Sequence, residues 1–307
     1  MKNKKTYLVT GASGFLGGAL VRKFLQNGHR VVGVVRRSSG FLSKEELKHP
    51  DFSLLKLDLL NKMEGMVSKI DGVFHLAGQN PIAGKQLDFS RFLDGNVTTT
   101  RNVIDFAVAK EVKFFCFVST GSVFGKKPNE KVITEEEVPV PTDYYGLTKY
   151  IAERLCEISF KGSATKTIVI RFPNLFGMPL KSGLLFDIFN SAKHNDRIEL
   201  FSKGERYRTF LFRESAVQAL VQIIDKYQEL EPFEIFMAAS AQSLKMKEIA
   251  QSIKRLVKSD SKIELVDRNP RYDWDVFIDT KRIQEQLGFK APSLEKEFQL
   301  FYKELQS

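Results

Sequence analysis

The chain has 307 residues, 43% of them hydrophobic and 27% charged, enough for one large globular domain or a large and a small one. Its net charge of +10 is spread along the whole length, with no dense basic block alternating with aromatics, so no nucleic-acid partner is expected. No apolar run approaches the ~20 residues of a membrane span, and the stretch after the basic start is too short for a signal peptide. Two cysteines, Cys116 and Cys156, make neither a disulfide framework nor a metal-ligand spacing, which points to a reducing cytoplasm and no metal.

The first 170 residues alternate short apolar runs with helical patterns, the signature of a parallel sheet wrapped by helices. Strands are expected over 6–10, 30–35, 52–57, 73–76, 114–119 and 167–171, with helices over 15–27, 92–109 and 144–160. After Phe172 the strands shorten, and helices are expected over 184–193 and 214–227. The pattern implies an α/β chain: a doubly wound parallel Rossmann sheet over 1–172, and over 173–307 mainly a smaller C-terminal α/β substrate lobe, some of which returns to the first domain.

The first strand runs directly into Thr10-Gly11-Ala12-Ser13-Gly14-Phe15-Leu16-Gly17. Glycines at 11, 14 and 17 between a strand and an amphipathic helix supply what a dinucleotide site needs. The first allows a tight turn, the second a close approach to pyrophosphate, the third close packing of helix on strand. The helix start then offers backbone N–H groups to phosphate, with Ser13, Phe15 and Leu16 beside it. At the end of strand two stand Arg36 and Arg37, with no carboxylate to hold a ribose 2′-OH. Guanidinium groups there favour a 2′-phosphate, so NADP is expected over NAD.

Strand five ends at Ser119-Thr120, and Tyr145-Gly146-Leu147-Thr148-Lys149 opens a later helix. Tyr145 and Lys149 are four residues apart and share a helix face. An ammonium near the phenol lowers its pKa, and Thr120 can hydrogen-bond a substrate oxygen. Together they can move a proton on or off an alcohol while a hydride moves at carbon.

These pieces, in order along nearly the whole chain, resemble the extended short-chain dehydrogenase/reductases, the group that holds nucleotide-sugar epimerases, dehydratases and reductases. The resemblance is carried by the glycine loop, Leu57-Asp58-Leu59, the segment from Asp71 to Gly78, Val118 to Gly125, Tyr145 to Lys149, and Arg171-Phe172-Pro173-Asn174-Leu175-Phe176-Gly177. It implies that Asp58 and Leu59 meet the adenine, and that Leu76, Ala77, Gly78 and Val118 form the wall beside the cofactor. Phe172 and Pro173 would flank the nicotinamide. Asn80, Ser122, Asn174 and Arg208 would contact a nucleotide-diphosphate sugar, joined by Arg268 or Arg271. The resemblance also implies a homodimer, with the helical segments 92–109 and 145–160 as the candidate interface.

Two departures narrow the reaction. The dehydratases of the group carry two carboxylates after the threonine, where this chain has Gly121 and Ser122, so a 4,6-dehydratase is rejected. Arg208-Thr209-Phe210 also departs from the group's Arg-Asp-aromatic pattern. Arg36 and Arg37 tilt the reading toward NADPH-dependent reduction of a 4-keto-6-deoxy nucleotide sugar, with hydride delivered to C4 and Tyr145 as proton donor. The alternative is an NAD-dependent nucleotide-sugar 4-epimerase. A small-carbonyl reductase and a non-catalytic NADP-binding sensor stand behind both.

Overall fold

A computed structural model describes residues 4–63, 69–81, 87–126, 132–267 and 274–306. The chain divides into two compact units. The first comprises Met1–Gly125, Val138–Arg171 and Val217–Phe236, and the second Lys126–Glu137, Phe172–Ala216 and Met237–Ser307.

The first unit is built on a seven-stranded sheet. Its strands are β1 (Thr6–Thr10), β2 (Arg30–Val35), β3 (Phe52–Lys56), β4 (Gly72–His75), β5 (Phe114–Thr120), β6 (Lys166–Phe172) and β7 (Phe233–Met237), in the order β7-β6-β5-β4-β1-β2-β3. The pairs β1–β2, β2–β3, β1–β4 and β4–β5 are parallel. β1 is flanked by β2 on one side and β4 on the other, so the direction of winding reverses between β1 and β4. Open α/β sheets bind their ligands at such a reversal, beyond the carboxyl ends of the strands.

Period-2 alternation explains why both faces of the sheet are buried. Leu8, Val73 and Phe115 face one layer, where they pack with Val103, Ile104 and Ala152. Their neighbours Tyr7, Phe74 and Phe114 face the other and form a chain of ring contacts with Phe24 of α1 (Phe15–Gln26). Full burial of each such side chain stabilises the fold by about 1.5–3 kcal/mol. The short helix α2 (Lys44–Lys48) starts with a capping box, in which Ser43 and Glu46 satisfy each other's backbone donors.

The helical pattern over 92–109 is interrupted. A short α3 (Phe89–Phe92) leads into a π-helical turn at Leu93–Thr98 and then α4 (Thr99–Ala109). α5 (Tyr144–Ser159) starts at Asp143, whose carboxylate accepts from the Gly146 N–H at 2.8 Å.

The second unit gathers α6 (Leu184–His194), α8 (Met246–Val257) and α10 (Leu294–Gln306) around Phe176, Phe189, Phe298 and Phe301. Short parallel strands join Asn174–Phe176 to Phe210–Phe212 and Ile198–Leu200 to Ile263–Leu265. Of the other α-helices among the described residues, α9 (Lys281–Leu287) belongs to this unit and is stopped by Gly288 at φ 68°, while α7 (Arg213–Lys226) belongs from Val217 on to the first.

Candidate active site

The glycine loop sits at the reversal point between β1 and β4, and its three glycines meet three different surroundings. Gly11 has φ 67°, and a Cβ there would lie 2.8 Å from the Ala77 nitrogen. A side chain at Gly17 would come within 2.1 Å of the Gly11 carbonyl oxygen, so α1 rests directly on the turn. At Gly14 a Cβ would meet only the Gly11 oxygen within 4 Å, at 3.1 Å, which leaves an open approach to the backbone. Gly14 is also the N-cap of α1, with no side chain capping the turn and no acid in its first turn. The loop therefore fits an anionic pyrophosphate. Ser13 and Phe15 are half-buried at its rim, and Leu16 is buried beneath it.

Beside the loop, a buried polar chain fixes the segment after β4. Thr10 Oγ1 accepts from the N–H groups of Leu76 (3.2 Å) and Ala77 (3.1 Å), which leaves its own proton for Nδ1 of His75 at 2.6 Å. Nε2 of His75 then donates to Thr100 Oγ1 at 2.9 Å, and Thr100 donates to the Asn96 carbonyl. Burial drives the His75 pKa down to about 3, with the Lys149 charge a lesser cause, so the ring is neutral. His75 is thus a packed strand residue rather than an acid or base. Asn96, 1% exposed on the π-helical turn, accepts from the Gln79 N–H and donates to both the Gln79 carbonyl and Thr148 Oγ1. Leu76 and Ala77 are half-buried, while Gly78 and Asn80 are exposed beyond them.

Arg36 and Arg37 are exposed at the end of β2. The loop that follows turns back onto the phosphate loop: the Phe41 N–H donates to the Ser13 carbonyl at 3.0 Å. Asp58 is half-buried and uses one carboxylate oxygen to accept from the Leu60 N–H, shaping the turn after β3, and Leu59 packs into the core.

The carboxyl end of β5 and the first turns of α5 bring together Thr120, Tyr145 and Lys149. Tyr145 is hydrogen-bonded to Thr120, and Thr120 Oγ1 also accepts from the Ser122 N–H and reaches Ser122 Oγ, both at 3.2 Å. Lys149, 6% exposed, donates from Nζ to the Val118 carbonyl at 2.6 Å and lies 4.0 Å from the centre of the Phe117 ring. The expectation that Lys149 depresses the Tyr145 pKa is not met. Burial pushes Tyr145 up to about 12 and Asp143 adds to this, while Thr120 works the other way. Lys149 itself is brought down to about 8 by burial, against a restoring effect of Glu153.

In the second unit Phe172 is buried, Pro173 is half-buried and Asn174 is exposed. Asn174 pairs in register with Phe210, two residues past Arg208. It also lines a cavity of about 190 Å³ with Phe176, Leu184, Phe186, Phe210 and Phe301. The Arg208 guanidinium donates to the Tyr207 and Trp274 carbonyls. Thr209, where the family pattern has an acid, bonds instead with Ser243 and the Val276 carbonyl. Arg268 and Arg271 lie outside the described residues.

Sequence reasoning missed Asn96 and the buried pair Glu153–Arg171. Glu153 had a usable signal, since it falls four residues after Lys149 on the same helix face. Asn96 had none, because its partners are Gln79 and Thr148, far off in sequence.

A reversal-point glycine loop beside a Thr–Tyr–Lys group defines an α/β enzyme that works with a nicotinamide dinucleotide. A family profile described as the NAD dependent epimerase/dehydratase family matches residues 7–239, and the chain belongs to that family. It is therefore an NAD(P)-dependent enzyme of the extended short-chain dehydrogenase/reductase type. An uncharacterised Sinorhizobium fredii protein is 26% identical over 268 residues, 87% of this chain, which spans 64% of that relative's length. A UDP-N-acetyl-alpha-D-glucosaminuronate decarboxylase of Bacillus cytotoxicus is 26% identical over 270 residues, covering 85% of this chain and 83% of its own. Among solved structures, the UDP-glucose 4-epimerase of Thermotoga maritima with UDP-glucose superposes with a TM-score of 0.85 at 22% identity, covering 98% of both chains. Among the described residues, no helix is long and apolar enough to cross a membrane.

Proposed function

We propose that the chain is a nucleotide-sugar 4-epimerase acting on a UDP-sugar. The observation that carries this reading is the make-up of the β5 end: Thr120, Tyr145 and Lys149 stand beside Gly121 and Ser122 rather than beside carboxylates. Such a group can take one proton from one oxygen and give it back, which is what reversible oxidation at C4 requires. Elimination of water would need a further acid–base pair. The structural likeness to a 4-epimerase and the relative that acts on a UDP-sugar support the same reading.

In this role Tyr145 accepts the C4 hydroxyl proton and later returns it. Thr120 holds the same oxygen through its hydroxyl, and Lys149, bonded to the Val118 carbonyl, places an ammonium one helical turn from the phenol. The glycine loop would hold a nicotinamide dinucleotide, which when bound would supply the hydride acceptor. With Tyr145 pushed up to about 12, the resting phenol is protonated at neutral pH, so its proton must pass to solvent before it can accept that of the C4 hydroxyl. Asn174 and Arg208 are the side chains we assign to the substrate diphosphate. The apolar side chains exposed on α4 and α5, Val108, Leu147 and Ile158, support a homodimer.

A second reading rests on Arg36 and Arg37. Two exposed arginines without a carboxylate favour NADP, and fresh NADPH at each turnover suits reduction of a 4-keto sugar nucleotide. The two are separated by incubating the purified protein with UDP-glucose, UDP-galactose and their uronic acid and N-acetyl counterparts, with no added reductant. Epimerisation at C4 without net change in nicotinamide absorbance is expected. NADPH consumption by a 4-keto sugar nucleotide, with no epimer formed from any of these substrates, would replace the first reading by the second.

A further inference from the structure

Beneath the Thr–Tyr–Lys group lies a buried ion pair with no place in the chemistry above. Glu153 and Arg171 are 1% and 2% exposed, and Arg171 Nη2 donates to Glu153 Oε2 at 2.6 Å while Nε donates to Oε1 at 3.0 Å. Oε1 also accepts from the Ser119 hydroxyl at 2.5 Å. The guanidinium carbon sits 4.8 Å from the centre of the Phe124 ring. Burying two charges costs several kcal/mol each unless the pairing is close and well bonded, and apolar residues can often fill the same space without loss of stability. A pair of this kind therefore invites a reason other than folding.

The reason is visible in how α5 meets β5. Three successive residues of the strand are each held by one of three helix residues spaced a turn apart. Thr120 is bonded to Tyr145, the Val118 carbonyl accepts from Lys149, and Ser119 donates to Glu153. Glu153 thus anchors the strand residue between the two that serve the reacting group. It also places a carboxylate one turn from the ammonium of Lys149.

We propose that Glu153, itself fixed by Arg171 and Ser119, is a positioning residue that keeps Lys149 charged and set against the Val118 carbonyl. The proposal rests on the catalytic reading of Tyr145 and Lys149. The other groups around Lys149 leave this task to Glu153. His75 from β4 is neutral, the Cys156 thiol on α5 is pushed up by burial, Tyr145 is protonated, and β5 presents only a carbonyl and the Phe117 ring. Burial lowers Lys149 to about 8, and Glu153 is the largest influence that opposes the fall.

The test reads Lys149 directly, so it holds whatever the substrate proves to be. Protein labelled with ¹³C at lysine Cε is titrated by NMR between about pH 6 and 10, the Lys149 signal being identified by its loss in Lys149→Met. Glu153→Gln is expected to move the Lys149 titration down by about one pH unit or more. Because Glu153→Gln strands Arg171 and can compromise folding, the same titration is run on the apolar double variant Glu153→Met/Arg171→Leu, which keeps the volume filled. A downward shift in every variant that folds supports the proposal, and with an active substrate the alkaline limb of kcat should move with it. A double variant that folds and leaves the Lys149 titration where it was overturns the proposal and makes the pair purely structural. Failure of every sugar nucleotide to react would instead count against the catalytic reading and leave the titration result standing.

Discussion

Glu297 on α10 offers a stability prediction whose size and sign follow from the structure. Its side chain is fully buried and accepts from the Ser215 hydroxyl at 2.6 Å and the Phe212 N–H at 3.2 Å, with no cation bonded to it among the described residues. Burial pushes its pKa from 4.5 up to about 7, against the smaller opposing effect of the two hydrogen bonds. Between those values the unfolded chain has lost the proton that the folded chain keeps, so stability falls as pH rises. The shift is roughly 2.5 units, and at about 1.4 kcal/mol per unit it amounts to about 3 kcal/mol, present in full below pH 4.5 and lost through pH 7. Glu297→Gln keeps the shape and cannot ionise. The variant should match the parent below about pH 4 and exceed it at pH 8 by up to about 3 kcal/mol. Urea unfolding at a series of pH values, compared at constant m, measures the difference and cancels groups common to both proteins, such as His75. Parallel pH profiles for the two proteins, or a variant weaker than the parent at pH 8, would refute the reasoning.

Three further outcomes test the site. Gly17→Ala places a methyl within 2.1 Å of the Gly11 carbonyl oxygen, so it should lower stability by about 1–3 kcal/mol and weaken dinucleotide binding, read by thermal melting and nicotinamide fluorescence. Tyr145→Phe should cut kcat by about 10²–10⁴-fold while cofactor affinity holds; an active variant would remove the phenol from the chemistry. Arg36→Asp exchanges the charge at the end of β2, and it should shift the ratio of NADP to NAD affinity toward NAD. An unchanged ratio would leave both arginines as solvated surface and end the argument for the 2′-phosphate.

The frame of the fold was legible because its signals are local. Apolar runs bounded by glycine and polar residues place β1 and β2 at their observed limits, and the glycine spacing alone locates the phosphate loop. What was hidden depends on partners distant in sequence. Asp94, Gly95 and Asn96 fall within the single helix expected over 92–109, yet Asn96 is buried with its amide bonded to Gln79 and Thr148. That Arg171 pairs with Glu153 shows only once β6 and α5 are set side by side. Helical spacing made Lys149 the dominant influence on Tyr145, but the fold gives the ammonium to the Val118 carbonyl and leaves burial to decide the phenol. The departure at Thr209 was legible as a missing acid. Only the structure shows that its hydroxyl is already engaged by Ser243 and the Val276 carbonyl.

The π-helical turn at Leu93–Thr98 carries one residue more than a regular helix would need over the same rise. That surplus residue aims the Asn96 amide at the backbone of Gln79 and at Thr148. Removing any one residue between 93 and 98 would let the helix wind regularly and turn Asn96 by about 100°. The wall beside the glycine loop and the first turn of α5 would then lose their common clasp. Side chains in this stretch can drift in composition, but its residue count is fixed by two neighbours that are remote in sequence.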